Sequence, residues 1–327
     1  MDTAYIYSVT RVRTLATALI TNADIERLLA ATTGEALKQA LLDSYLALYI
    51  PDSNTWTIDD ILEEYELQAV QLVQEITPDS AVLYGHLARY DFHNIRVLSK
   101  ARTQDLDQPE TLSCLSPLGR FPQRVIYEHA MQNTLYGLAS ELHEAYRQAC
   151  WHLEAKEVDR AELAIDQAYW KYRCAQAELV DDLFVRSLLA IEIDLHNVSV
   201  RLRTETVDHF DWNKAVQPGG SFGVGQFSTI EGLSSVLQTY GGIELWSEAL
   251  AHATTGSFLE LEQASRRYIQ AYVHQASYDM FSVAGLLHYL LAVENSSNIV
   301  RTIVTGQQSG QSVTEIRKRL TGLVALV

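Results

Sequence analysis

The residues with the spacing to do chemistry fall into a few groups, and most fail on closer reading. Asp181-Asp182-Leu183-Phe184-Val185 begins like a DDxxD magnesium-binding run of an all-α enzyme, but Val185 stands where the third acid belongs and no second such run occurs. The stretch Gly219-Gly220-Ser221-Phe222-Gly223-Val224-Gly225 is glycine-rich, yet no Lys follows to meet a phosphate, so it reads as a joint and not a P-loop. His86 and His93 could share a helix face, but two histidines alone rarely hold a metal, and neither HExxH nor GxSxG occurs. What remains are acids followed three or four residues later by an Asn: Asp91 and Asn94, Asp194 and Asn197, Glu294 and Asn298. The acids stand 103 and then 100 residues apart, each in an apolar run. A catalytic site is usually single. A threefold repeat points instead to a triplicated scaffold.

On a helix, residues three or four apart share a face. Each acid then lies with its Asn on an apolar stripe, where a charge is costly unless its oxygens accept hydrogen bonds. The expected partners are free backbone N–H groups at the start of a neighbouring helix. Asp91, Asn94, Asp194, Asn197, Glu294 and Asn298 are therefore expected to be structural locks between helices. Cations follow each signature, with Arg96 and Lys100, then Arg201 and Arg203, then Arg301. They read either as salt bridges at helix ends or as a partner interface. The third signature has Glu in place of Asp and a gap of four, so its lock is expected to differ.

The elements that must position these groups are helices. Six prolines and 16 glycines in 327 residues are too few for a chain that turns every ten residues, and no convincing alternating strand occurs. Ile58, Ile61, Leu62, Tyr65, Ala69, Leu72, Val73 and Ile76 form one buried stripe, with Thr57 as N-cap and Thr77-Pro78 as stop. A second helix starts near Asp79-Ser80 and runs through the first signature. A long helix or pair is expected over roughly 127–203. Ser312-Val313-Thr314-Glu315 reads as a capping box. Joints at Thr103–Pro122 and Asp208–Gly225 divide the chain into 1–105, 106–210 and 211–327. They share a cadence, Ser116-Pro117-Leu118-Gly119 against Gln217-Pro218-Gly219-Gly220.

Bulk properties narrow the function classes. The formal charge is −16, with −7 in each of the first two segments and −2 in the third. An acidic chain without a basic block is a poor partner for nucleic acid or an anionic membrane. Three cysteines without CxxC spacing suggest a reducing, cytoplasmic compartment. The start of the chain lacks the basic and apolar pattern of a signal peptide. The apolar run from Val283 to Val293 is interrupted by His288 and is roughly half of what a membrane span requires.

The order of motifs resembles the C subunit of the vacuolar/archaeal-type rotary ATPases, which is the d subunit of the eukaryotic complex. The resemblance covers nearly the whole chain. It rests on Tyr5-Ile6-Tyr7-Ser8-Val9-Thr10-Arg11-Val12-Arg13, on the two DxxN helices at 91–94 and 194–197, and on Pro218-Gly219-Gly220. It also rests on Glu294, Asn298-Ile299-Val300-Arg301 and Glu315-Ile316-Arg317-Lys318-Arg319-Leu320. The resemblance implies an all-α fold of three similar bundles, about 100 residues each, around a pseudo-threefold axis, funnel-shaped. It implies a non-catalytic central-stalk subunit, peripheral on the cytoplasmic face of the membrane, with no cofactor, no metal and no active-site residue. The implied partners are the central shaft subunits and the cytoplasmic loops of the membrane rotor ring, between which torque passes. An unrelated helical adaptor, or a magnesium-dependent enzyme using Asp181 and Asp182, are the alternatives.

Overall fold

The computed structural model describes residues 3–16, 19–31, 33–50, 56–180, 182–204, 212–320 and 323. Among them every regular element is helical. In chain order these are α1 (Ile6–Ala16), α2 (Asn22–Ala30), α3 (Gly34–Leu42), α4 (Ile58–Ile76), α5 (Ser80–Gln104), α6 (Gln108–Ser113), α7 (Gln123–Met131) and α8 (Ser140–Glu154). Then come α9 (Val158–Val180), α10 (Leu183–Thr204), α11 (Ile230–Thr239), α12 (Ile243–Ala253), α13 (Leu259–Ala276), α14 (Ala284–Gln308) and α15 (Val313–Leu320). No helix among the described residues is long and apolar enough to cross a membrane.

Local signals account for several helix ends. Thr57 caps α4 through a capping box with Asp60, and Thr77 closes it just before Pro78. Asp79 caps α5 by accepting the Ala81 N–H. Ser312 and Glu315 form the expected reciprocal cap of α15. The long helix or pair expected over roughly 127–203 is instead the end of α7 followed by α8, α9 and α10, broken between each of them. Between α8 and α9 Lys156 takes a left-handed φ of 62°, and the Glu157 N–H closes onto the His152 carbonyl. That position usually carries Gly, and the absence of Gly or Pro hides the break.

Two compact units form. One comprises residues 1–78 with 237–327, the other residues 79–236. In the first, α14 is the centre, packing against α1, α2, α4, α13 and α15. Its Leu286, Leu290, Val293, Ile299, Val300 and Ile303 are all buried. In the second, α5, α8 and α9 pack on one another around Phe92, Ile95, Leu98, Leu142, Tyr146 and Ile165. Fully burying side chains of this size contributes about 1.5–3 kcal/mol each before conformational entropy is counted. The α9–α10 hairpin adds a smaller core of Trp170, Ala177, Leu189 and Ile193.

Candidate functional site

The first two signatures build the same structure. Asp91 and Asn94 lie on α5, only 3% and 0% exposed, so neither is solvated. Asn94 Oδ1 accepts the Ser116 N–H at 2.8 Å, and its Nδ2 donates to the Ser116 carbonyl at 3.0 Å. Asp194 and Asn197 lie on α10, 0% and 1% exposed. Asn197 Oδ1 accepts the Gln217 N–H at 2.7 Å, and its Nδ2 donates to the Gln217 carbonyl at 2.9 Å. In both cases the side-chain amide stands in for a neighbouring strand. It satisfies both backbone groups of the residue immediately before a proline, Pro117 or Pro218. That residue is held extended by the proline ring, so its N–H and C=O find no helical partner.

The acids complete each cradle one turn away. Asp91 accepts the backbone N–H groups of Arg120 and Phe121. Asp194 Oδ2 accepts the Ser221 N–H at 2.8 Å. Both carboxyl groups press onto a glycine: a Cβ built on Gly119 would run into Asp91, and one on Gly220 would run into Asp194. The contact requires a residue with no side chain at each place. The partner is therefore the proline–glycine joint downstream, and not the start of a neighbouring helix. The shared cadence of the two joints is the sequence signal for it, although cadence by itself marks only a boundary.

Burial lowers the pKa of both histidines of the repeat. Burial holds His93 below the usual imidazole range, against a hydrogen bond to the Cys114 backbone. Burial pushes His196 down to about 4, and its ring lies 5.1 Å from that of Trp170. His86 is depressed chiefly by burial and then by Arg89, whose Nη2 lies 2.9 Å from its Nε2. Burial also dominates at Asp91, whose carboxyl is pushed up to about 7 despite its backbone donors. The glycine-rich run is no phosphate loop, because the Ser221 N–H is already committed to a carboxylate. Asp182 caps α10 by accepting the Phe184 N–H at 2.7 Å, and Asp181 lies outside the described residues.

The third signature is built differently. Glu294 and Asn298 are only half-buried, and Asn298 Oδ1 meets Arg301 Nη1 at 3.5 Å. The buried amide is Asn295, 3% exposed, whose Nδ2 donates to the Leu323 carbonyl at 2.8 Å. Asn295 is the residue that spacing alone misses, because a four-residue gap from Glu294 points to Asn298.

The following cations take individual places. Arg96 binds Glu162 at 2.5 Å and Asp166 at 2.9 Å, and Lys100 binds Glu162 at 2.6 Å. Arg201 stacks over the Trp212 ring at 5.2 Å, Arg203 Nε meets Ser199 Oγ at 3.2 Å, and Arg301 binds Asp59 at 3.0 Å. A further ion pair, Arg173 with Glu192 at 2.5 Å, joins α9 to α10. Its side chains are only 13% and 22% exposed, and nothing in the spacing points to it.

Comparison with known proteins supplies what the geometry lacks. The family model described as "ATP synthase (C/AC39) subunit" matches residues 8–319. The C subunit of the A-type ATP synthase of Methanocaldococcus jannaschii is 23% identical over a 353-residue alignment that covers 98% of this chain and 86% of that protein. Its namesake from Halorubrum lacusprofundi is 25% identical over 264 residues, covering 73% of this chain and 74% of that protein. With a match over nearly its whole length, the chain belongs to the ATP synthase C/AC39 subunit family.

Proposed function

We propose that this chain is the socket of the central stalk of an archaeal/vacuolar-type ATP synthase, joining the rotor shaft to the membrane ring so that torque passes between them. As a member of its family it is a non-catalytic subunit of that membrane-associated complex. The observation that supports a mechanical role is the recurrence of one cradle on α5 and on α10, with the same amide-to-backbone pairing and a proline and a glycine in the same places. A part that carries torque must not shear between helix and loop. Interior hydrogen bonds in a paired geometry resist that better than scattered surface contacts.

In this reading the segments 1–105, 106–210 and 211–327 are three related helical bundles around a pseudo-threefold axis. The shaft enters the funnel on one side, and the cytoplasmic loops of the rotor ring meet the other. The chain does its mechanical work peripherally on the cytoplasmic face, and neither cofactor, metal nor nucleic acid takes part in the torque transfer. Arg96, Lys100, Arg201, Arg203 and Arg301 are the cations assigned to partner surfaces. Arg203 is exposed, whereas the others are half-buried.

Reconstitution tests the reading. A complex rebuilt without this chain should still hydrolyse ATP but lose ATP-driven ion pumping, and adding the purified chain should restore pumping. Pumping that is unchanged without the chain sinks the proposal.

A further inference from the structure

Among the histidines, one pair stands apart from both cradles. His274 occupies the last turn of α13, and His288 lies in the second turn of α14. His274 Nδ1 and His288 Nε2 are 3.0 Å apart, with ring centroids 4.9 Å apart. His274 Nε2 in turn meets the Tyr278 hydroxyl at 3.1 Å. Both histidines belong to the same compact unit and are joined by a short turn that is itself hydrogen-bonded. Ser277 N–H closes α13 onto the Val273 carbonyl, the Phe281 N–H reaches Asp279 Oδ1 at 2.8 Å, and the Ala284 N–H reaches Ser282 Oγ at 3.1 Å. The turn is thus fixed from end to end.

We propose that His274 Nδ1 and His288 Nε2 form a two-imidazole site for a nitrogen-seeking divalent transition metal, Cu2+ foremost, with water completing the sphere. Two nitrogens that each sit ~2.0–2.1 Å from one ion stand roughly 2.9–3.4 Å apart, depending on the angle between them. The pair is already at that spacing. Tyr278 supplies the outer contact that ligating histidines ordinarily have. In the ligating tautomer His274 carries its proton on Nε2 and donates it to that hydroxyl, so that the Nδ1 lone pair faces His288. His288 must then carry its own proton on Nδ1, a change of tautomer without net release of a proton.

The surroundings choose among metals. Arg13 donates to the Ser277 carbonyl at 2.5 Å and brings a positive charge to this corner. No group of three or more His, Cys, Asp or Glu able to hold a metal occurs among the described residues. A hard cation such as Mg2+, which needs carboxylate oxygens, gains nothing here. Binding has to come from coordination by imidazole, which favours Cu2+ over Ni2+ and Zn2+ in the divalent series. His129, whose Nδ1 is engaged with Thr134 at 3.0 Å, is a histidine outside the site and serves as the control.

The test is a calorimetric titration of the tag-free full chain with CuCl2 in a weakly coordinating buffer. One equivalent should bind, and His274→Ala or His288→Ala should each weaken binding at least tenfold while His129→Ala binds as the parent does. The electron paramagnetic resonance spectrum of the unsubstituted protein with one equivalent of Cu2+ should show hyperfine coupling to two imidazole nitrogens, a readout that does not depend on any variant folding. Absence of stoichiometric binding, or variants that bind like the parent, overturns the site. A spectrum with one imidazole nitrogen or none also overturns it, as does a thermal shift with Mg2+ equal to that with Cu2+.

Discussion

Asn197 and Gln217 exchange two hydrogen bonds, 2.7 Å from the Gln217 N–H to Oδ1 and 2.9 Å from Nδ2 to the Gln217 carbonyl. This is a peptide-like pair closed across a helix and a loop that lie 20 residues apart in the chain. Asn94 and Ser116 repeat it on α5. The relationship states what the DxxN signature is for: the Asn clamps the residue before a proline, and the acid clamps the backbone just after the glycine.

Asn197→Ala should destabilise the second compact unit by about 3 kcal/mol, since it leaves a buried N–H and a buried carbonyl without partners. Asn197→Asp should be at least as costly, because a carboxylate cannot donate to the Gln217 carbonyl. Asn94→Ala should behave like Asn197→Ala. Urea unfolding followed by circular dichroism measures all three, and a loss of under about 0.5 kcal/mol for both alanine variants would contradict the clamp.

Gly220→Ala should cost more than an alanine substitution in an open turn. Its Cβ would meet the Asp194 carboxylate, so either the joint or α10 has to shift. Gly223 has open space around it, and Gly223→Ala serves as the comparison. The pair is read from the two melting temperatures. Equal melting temperatures would mean that the close approach has no energetic weight.

Asp91 should make the protein less stable as pH rises. Its unfolded carboxyl titrates near 3.8, whereas burial raises the folded one to about 7. Between these values the folded state holds a proton that the unfolded state has released. Stability from this group is therefore complete below pH 3.8 and is lost as pH rises to about 7. Asp91→Asn removes the titration, so the stability difference between variant and parent should grow in the variant's favour over that window, by at most about 4 kcal/mol. Taking the difference cancels other carboxylates such as Asp60, whose bonds to Thr57 lower its pKa and act in the opposite sense. A difference that does not change with pH would show that Asp91 is not protonated in the fold.

The third signature should respond at Asn295 and not at Asn298. Asn295→Ala removes the buried donor to Leu323 and should cost about 1–2 kcal/mol. Asn298→Ala loses only a 3.5 Å contact to Arg301 and should stay within about 0.5 kcal/mol of the parent. Chemical denaturation of both variants decides it, and the reverse order would restore the spacing derived from Glu294 and Asn298.

Local rules are legible without coordinates. The apolar stripe of α4, its Thr57 cap and its stop before Pro78 follow from periodicity and capping, which involve residues within one or two turns. The helical class, the repeat of acid and amide, and the equal cadence of the two joints are determined the same way. Tertiary structure alone decided which backbone groups Asp91, Asn94, Asp194 and Asn197 hold, because their partners lie 20 residues or more downstream and depend on the path of the loop. It also decided that Lys156 breaks a helix without Gly or Pro, and that Asn295 replaces Asn298 as the buried amide. In each case the choice rests on which atom is buried against which. Spacing along a helix sets the face a residue lies on, but the packing of distant segments sets what that face meets.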